Sequence, residues 1–200
     1  MSVDSATEWV RGMVLALTEP HYHQHVTVRW DGSSWIVAVP TSAVGALLGD
    51  NGVNAGALRR LAWAGAGARR LLQDAPWLRP ESVLSIRDGG SDALGWVDPL
   101  GLDDAVASGL DFLGLAVRGP VAKGEVTIRA LPPEHERFRP GQVCASVGVS
   151  DKQVGRLLGR GGANLEDLRT LLRCHLRARG WRGGSTLILQ PPTIPRSPDA

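Results

Sequence analysis

The chain has 200 residues, 43% hydrophobic and 21% charged, with a net charge of +2, a balance that excludes wholesale disorder and suits one large domain or two small ones. No apolar run reaches the roughly 20 residues that span a bilayer, and the acidic opening "MSVDSATEWVRG" lacks the basic-then-apolar order of a secretion signal. The two cysteines, Cys144 and Cys174, have neither CxxC spacing nor a nearby pair of histidines, so reduced, buried thiols in a soluble cytoplasmic protein are expected.

In chain order, Ser5 and Glu8 have the spacing of a capping box that would open an amphipathic helix to Leu17. Two strands at 25 to 30 and 34 to 39 flank the turn residues Asp31 and Gly32 as a hairpin. A short helix from Thr41 reaches the loop Gly49, Asp50, Asn51, Gly52. A second helix follows, weakened by Gly65 and Gly67, and residues 82 to 87 close the unit as a strand. Residues 88 to 101 read as a linker.

The same order then recurs. Val106, Leu110, Leu113 and Val117 line one side of a helix over 102 to 117, and strands are expected at 125 to 131 and 142 to 149. Ser150 and Gln153 predict a capped short helix to Leu158. After the loop Gly159, Arg160, Gly161, Gly162, a helix from Ala163 carries Leu165, Leu168, Leu172 and Leu176 on one face. Residues 185 to 190 form the last strand, and 191 to 200 an unpacked tail. An offset of 110 residues superposes "VGALLGDNGVNAGALRRLAW" (44 to 63) on "VGRLLGRGGANLEDLRTLLR" (154 to 173), so one unit is used twice.

Charge separates the copies. Residues 1 to 100 carry 8 basic and 10 acidic side chains, against 14 and 10 in residues 101 to 200. The excess is densest over 150 to 182, where only Asp151, Glu166 and Asp167 oppose Lys152 and seven arginines, and this suggests a polyanionic partner.

The run Val154, Gly155, Leu158, Gly159, Arg160, Gly161, Gly162, Asn164, Leu165, Leu168 resembles the VIGxxIGxxGxxIxxI signature of KH domains, and the element order resembles their bacterial type II arrangement. The first copy is similar to the small KhpA-type bacterial KH proteins. The resemblance implies an α/β (α+β) fold of two type II KH-like domains, each a three-stranded sheet packed against three helices, at residues 1 to 90 and 101 to 190. It also implies a non-catalytic cytoplasmic protein that binds single-stranded RNA (messenger, small or ribosomal) in post-transcriptional regulation or ribosome-related processes. A second copy or another KH protein is a further candidate partner.

In such a loop main-chain N–H groups approach phosphates, and a side chain at a glycine position would block them. The RNA-binding set expected here is Lys152, Gly155, Arg156, Leu158, Gly159, Arg160, Gly161, Gly162, Asn164 and Arg169, with Leu157, Leu158 and Val147 facing bases and a basic stripe along Arg169, Arg173 and Arg177. In the first loop Asp50 stands where a phosphate would sit, costing about 1 kcal/mol if exposed, with no basic residue between Asp31 and Arg59 to offset it. That loop (Gly49, Asp50, Asn51, Gly52) reads as degenerate, kept for packing, dimerisation or a weak auxiliary contact.

Other chemistries have weaker support. The glycine loop follows a helix and lacks a third Rossmann glycine, and no GxxxxGK[ST] exists, so no nucleotide cofactor is expected. His21, His23 and His25 alternate as on a strand edge, without a carboxylate or cysteine to complete a metal site. "PPEHERFRPG" (132 to 141) reads as a polar loop between strands. Seven tryptophans raise base stacking, but Trp30, Trp35 and Trp63 suit a core or an interdomain surface better. The competing class is a protein interaction or dimerisation module that retains a KH scaffold without binding nucleic acid.

Overall fold

A computed structural model describes residues 3–68, 79–90, 95–121 and 125–190. It is a mixed α/β chain with two three-stranded sheets. The first half runs α1 (Val3–Leu17), a 3-10 turn (Pro20–His25), β1 (Thr27–Trp30), β2 (Trp35–Val39), α2 (Thr41–Leu48), a 3-10 turn (Asp50–Gly52), α3 (Val53–Ala68) and β3 (Leu84–Asp88). The second runs α4 (Leu102–Ala116), β4 (Val126–Ala130), β5 (Val143–Val149), α5 (Asp151–Leu158), a 3-10 turn (Arg160–Gly162), α6 (Ala163–Ala178) and β6 (Ser185–Gln190). The expected tail and Trp77 lie outside the described residues, as does part of the expected linker.

Both sheets have the order edge, centre, edge, as β1-β2-β3 and β4-β5-β6. The first pair of each is antiparallel and the second parallel. The central strands, "WIVAV" and "VCASVGV", are buried along nearly their whole length, as strands covered on both faces must be, whereas the edge strands are mostly half-buried or exposed. A parallel neighbour requires a crossover, and in each half the crossover is a helix, a glycine loop and a second helix. The two loops therefore occupy equivalent places.

The halves share one continuous core. In α1 the residues Ala6, Trp9, Val10, Met13, Val14 and Leu17 recur at helical spacing and are buried. The crossover helices α3 and α6 pack against each other, with α1 and α4 alongside. The indole of Trp9 donates to Leu115 O at 2.9 Å, while His175 Nδ1 lies 2.7 Å from Ala16 O. Ala16 and Leu115 are the penultimate residues of α1 and α4, so each helix end, which has carbonyls without intrahelical partners, is capped by a ring from the opposite half.

Several sequence expectations are corrected. Residues 20–25 form a 3-10 turn opened by Pro20 at its first position, so His21, His23 and His25 do not alternate along a strand, and no cluster of metal-ligating side chains occurs among the described residues. The helix starts differ from the capping-box reading: α1 is already helical at Val3, ahead of Ser5, and Ser150 opens α5 through its carbonyl, which accepts Gln153 N–H at 2.8 Å, with no side-chain cap bond. Gly65 is no weakness in α3. It is buried, and a Cβ there would stand 3.2 Å from Gly119 O, so the glycine lets the two backbones meet. Cys144 and Cys174 are free and buried, and no described helix is long and apolar enough to cross a membrane.

Candidate nucleic-acid interface

The two glycine loops are conformationally alike despite their sequences. Gly49 and Gly159 close α2 and α5 with φ of 70° and 68°, and a Cβ on either would strike the carboxamide of Asn54 or Asn164 at 2.6 Å. Those asparagines donate Nδ2–H to the carbonyls of Ala46 (2.9 Å) and Arg156 (2.8 Å), pinning each loop to the preceding helix. Asn51, at φ 53°, occupies the place of Gly161, at φ 63°; asparagine tolerates this left-handed region best among residues with a side chain. The first loop thus departs from the second in charge and not in backbone.

In the second loop Arg160 and Gly161 are exposed at the apex, and nothing lies within 4 Å of a Cβ built on Gly161 or Gly162. Lys152, Gly155 and Arg156 are exposed along α5; Leu158, Gly159, Gly162 and Asn164 are half-buried beside them. At the 110-residue offset the positions of Lys152, Arg156 and Arg160 hold Ser42, Ala46 and Asp50 in the first repeat. All three cationic positions are absent there.

Some expected residues lie elsewhere. Leu157 and Val147 are fully buried and closed to a base. Arg169 is turned away from the loop: its Nε–H donates to Leu187 O at 3.0 Å and its guanidinium pairs with Glu166, tying α6 to β6. Arg59 ties α3 to β3 in the same way, donating to Leu84 O at 2.9 Å.

Two relationships between the repeats were not anticipated. Trp63 and Pro120 line a recess with Gly155, Arg156, Gly159 and Asn164, so an indole from α3 borders the second loop. Reciprocally, Arg173 and Arg177 from α6 border the first loop across a cleft of about 540 Å³. Trp63 and Arg173 occupy the same repeat position at the 110-residue offset. Cys174, beside Arg173, accepts Asn54 Nδ2–H at 3.3 Å, and burial pushes its thiol up to about 11, so it stays neutral.

No protein-family model matches the chain, and no curated protein matches it in sequence.

Proposed function

We propose that this chain is a non-catalytic RNA-binding protein made of two type II KH-like repeats, in which the Gly159–Gly162 loop clamps single-stranded RNA. The observation that carries the reading is an exposed arginine at the apex of a loop whose backbone is open, flanked by exposed Lys152 and Arg156. Main-chain N–H groups of such a loop, with the start of α6 behind them, suit phosphate oxygens, and the cations add sequence-independent affinity. The repeated order of helix, strand pair, helix, glycine loop, helix and strand supports the KH-like assignment. Action on messenger, small or ribosomal RNA in the cytoplasm belongs to the same proposal.

The interaction-module reading has less support, because α3 and α6, the helices best placed to dimerise, already cover each other.

The test is fluorescence anisotropy of a labelled short single-stranded RNA pool against the full chain and an Arg160→Asp/Gly161→Asp variant at several salt concentrations. Asn51 shows that a side chain fits at the position of Gly161, so the variant should fold, as circular dichroism would verify. Binding with a log-log salt slope of about −0.7 per phosphate contact that collapses in the variant supports the clamp. Binding that the variant retains in full removes the loop from the interface.

A further inference from the structure

The first loop lies in a cleft whose opposite wall is the second repeat. Arg173 and Arg177, one helical turn apart on α6, and Arg182 just beyond it, line this cleft together with Gly49 and Asp50. All three arginines are exposed, and none forms an ion pair among the described residues. Arg182 Nη1–H donates to Arg177 O at 3.4 Å, which keeps it near the other two. Two carboxylates share the cleft, Asp50 and Glu19, the latter 3.5 Å from the His21 imidazole, so the guanidinium charge exceeds the carboxylate charge.

We propose that the cleft between the Gly49–Gly52 loop and α6 is a second single-stranded RNA site, whose phosphate-binding cations are supplied by the opposite repeat through Arg173, Arg177 and Arg182. The inference rests on the RNA-binding reading of the second loop and goes beyond it. The first loop keeps the main-chain conformation of the second but carries Asp50 in place of Arg160 and no cation of its own. The packing of the second repeat on the first places three guanidiniums, none in an ion pair among the described residues, where they supply positive charge to that loop. Arg173 and Arg177 are separated by about 6 Å of helix rise, the scale of the step between successive phosphates of an extended strand. Ala43, Gly45 and Ala46, which line the cleft, bring almost no side chain to it, which leaves room for a base. A flexible polyanion fits this arrangement better than a folded protein surface does.

Native mass spectrometry of the full chain with a six-nucleotide random single-stranded RNA counts strands bound per chain. The wild type is expected to take two, and Arg173→Ser/Arg177→Ser one. The Arg160→Asp/Gly161→Asp variant is expected to take one, and the combination none. Both arginines are exposed and outside any ion pair among the described residues, and Arg173 makes only a 3.5 Å bond to Thr170 Oγ1, so their replacement is expected to leave the fold intact. An arginine variant that keeps the wild-type count overturns the inference and leaves the cleft to another ligand, such as an acidic peptide. A wild-type count of one, lost with the second loop alone, also overturns it while sparing the proposed function. A wild type that takes no strand overturns both.

Discussion

Arg60 on α3 and Asp167 on α6 form a two-pronged ion pair across the two repeats, with Nε to Oδ2 at 2.8 Å and Nη2 to Oδ1 at 2.6 Å. The carboxylate is 5% exposed and the guanidinium 49%, so the two partners are unequal in what their loss would do. Removing Arg60 strands a desolvated charge. Arg60→Ala is expected to destabilise the chain by about 1–3 kcal/mol, read as a lower urea midpoint, and Arg60→Leu/Asp167→Leu to recover part of that. An unchanged midpoint in Arg60→Ala would mean that water replaces the guanidinium.

His175 makes folding sensitive to mild acid. Its ring stacks on Phe112 with centroids 4.7 Å apart; Nδ1–H donates to Ala16 O, and Nε2 accepts the Ser108 hydroxyl at 2.9 Å. Burial holds its pKa below the usual value, and Arg179 adds to this, while the Ala16 and Ser108 bonds and Asp111 act in the opposite direction. The unfolded state therefore binds the proton more readily. Stability is complete above the unfolded pKa of about 6.5 and falls as the pH drops from there toward the lower folded value, with a slope of at most about 1.4 kcal/mol per pH unit. Urea midpoints across this range should fall for the wild type and stay flatter for His175→Gln.

Gly65 should resist its usual improvement. Alanine is favoured over glycine in a helix by about 1 kcal/mol, yet here its methyl meets the Gly119 backbone at 3.2 Å. That backbone has little room to shift, because Trp9 packs closely on Gly119, its ring 2.4 Å from where a Gly119 Cβ would be. Gly65→Ala is expected to lower the thermal midpoint and Gly65→Val to lower it further, by about 1–3 kcal/mol of overpacking. A raised midpoint in Gly65→Ala would show that the α3 contact is slack.

If the second loop clamps RNA as proposed, Trp63, which borders that loop, is the first-repeat residue placed to stack on a base. Stacking on an aromatic ring is worth about 1–3 kcal/mol per base. Trp63→Ala is expected to weaken RNA binding by roughly 5- to 160-fold with little change in salt slope, whereas Arg156→Ala should reduce the slope by about 0.7. Equal affinity in Trp63→Ala would assign the indole to packing alone.

The sequence carried the repeat, the strands and the glycine loops, because these rest on local periodicity and on residues with special backbone demands. Strand β6 falls on the residues its β-branched run predicts, and helix α4 ends one residue short of its expected end. The misreadings have local and long-range causes. The alternation of His21, His23 and His25 is a period-2 pattern overruled by Pro20, and the role of Gly65 depends on Gly119, 54 residues away. The site was half legible. The basic stripe on α6 is plain in the sequence, but only the packing of α3 on α6 turns Arg173 and Arg177 toward the first loop and releases Arg169 to hold β6.

The shared core also sets a clock during synthesis. The carbonyl of Ala16 waits for a ring 159 residues later, and Trp9 for a carbonyl 106 residues later. A ribosome adding about 5–20 residues per second keeps the inner face of α1 uncovered for roughly 8–30 s before α6 is made. The nascent first repeat thus exposes apolar surface while it waits, and on a polysome the nearest surface able to cover it belongs to a neighbouring copy of the same chain.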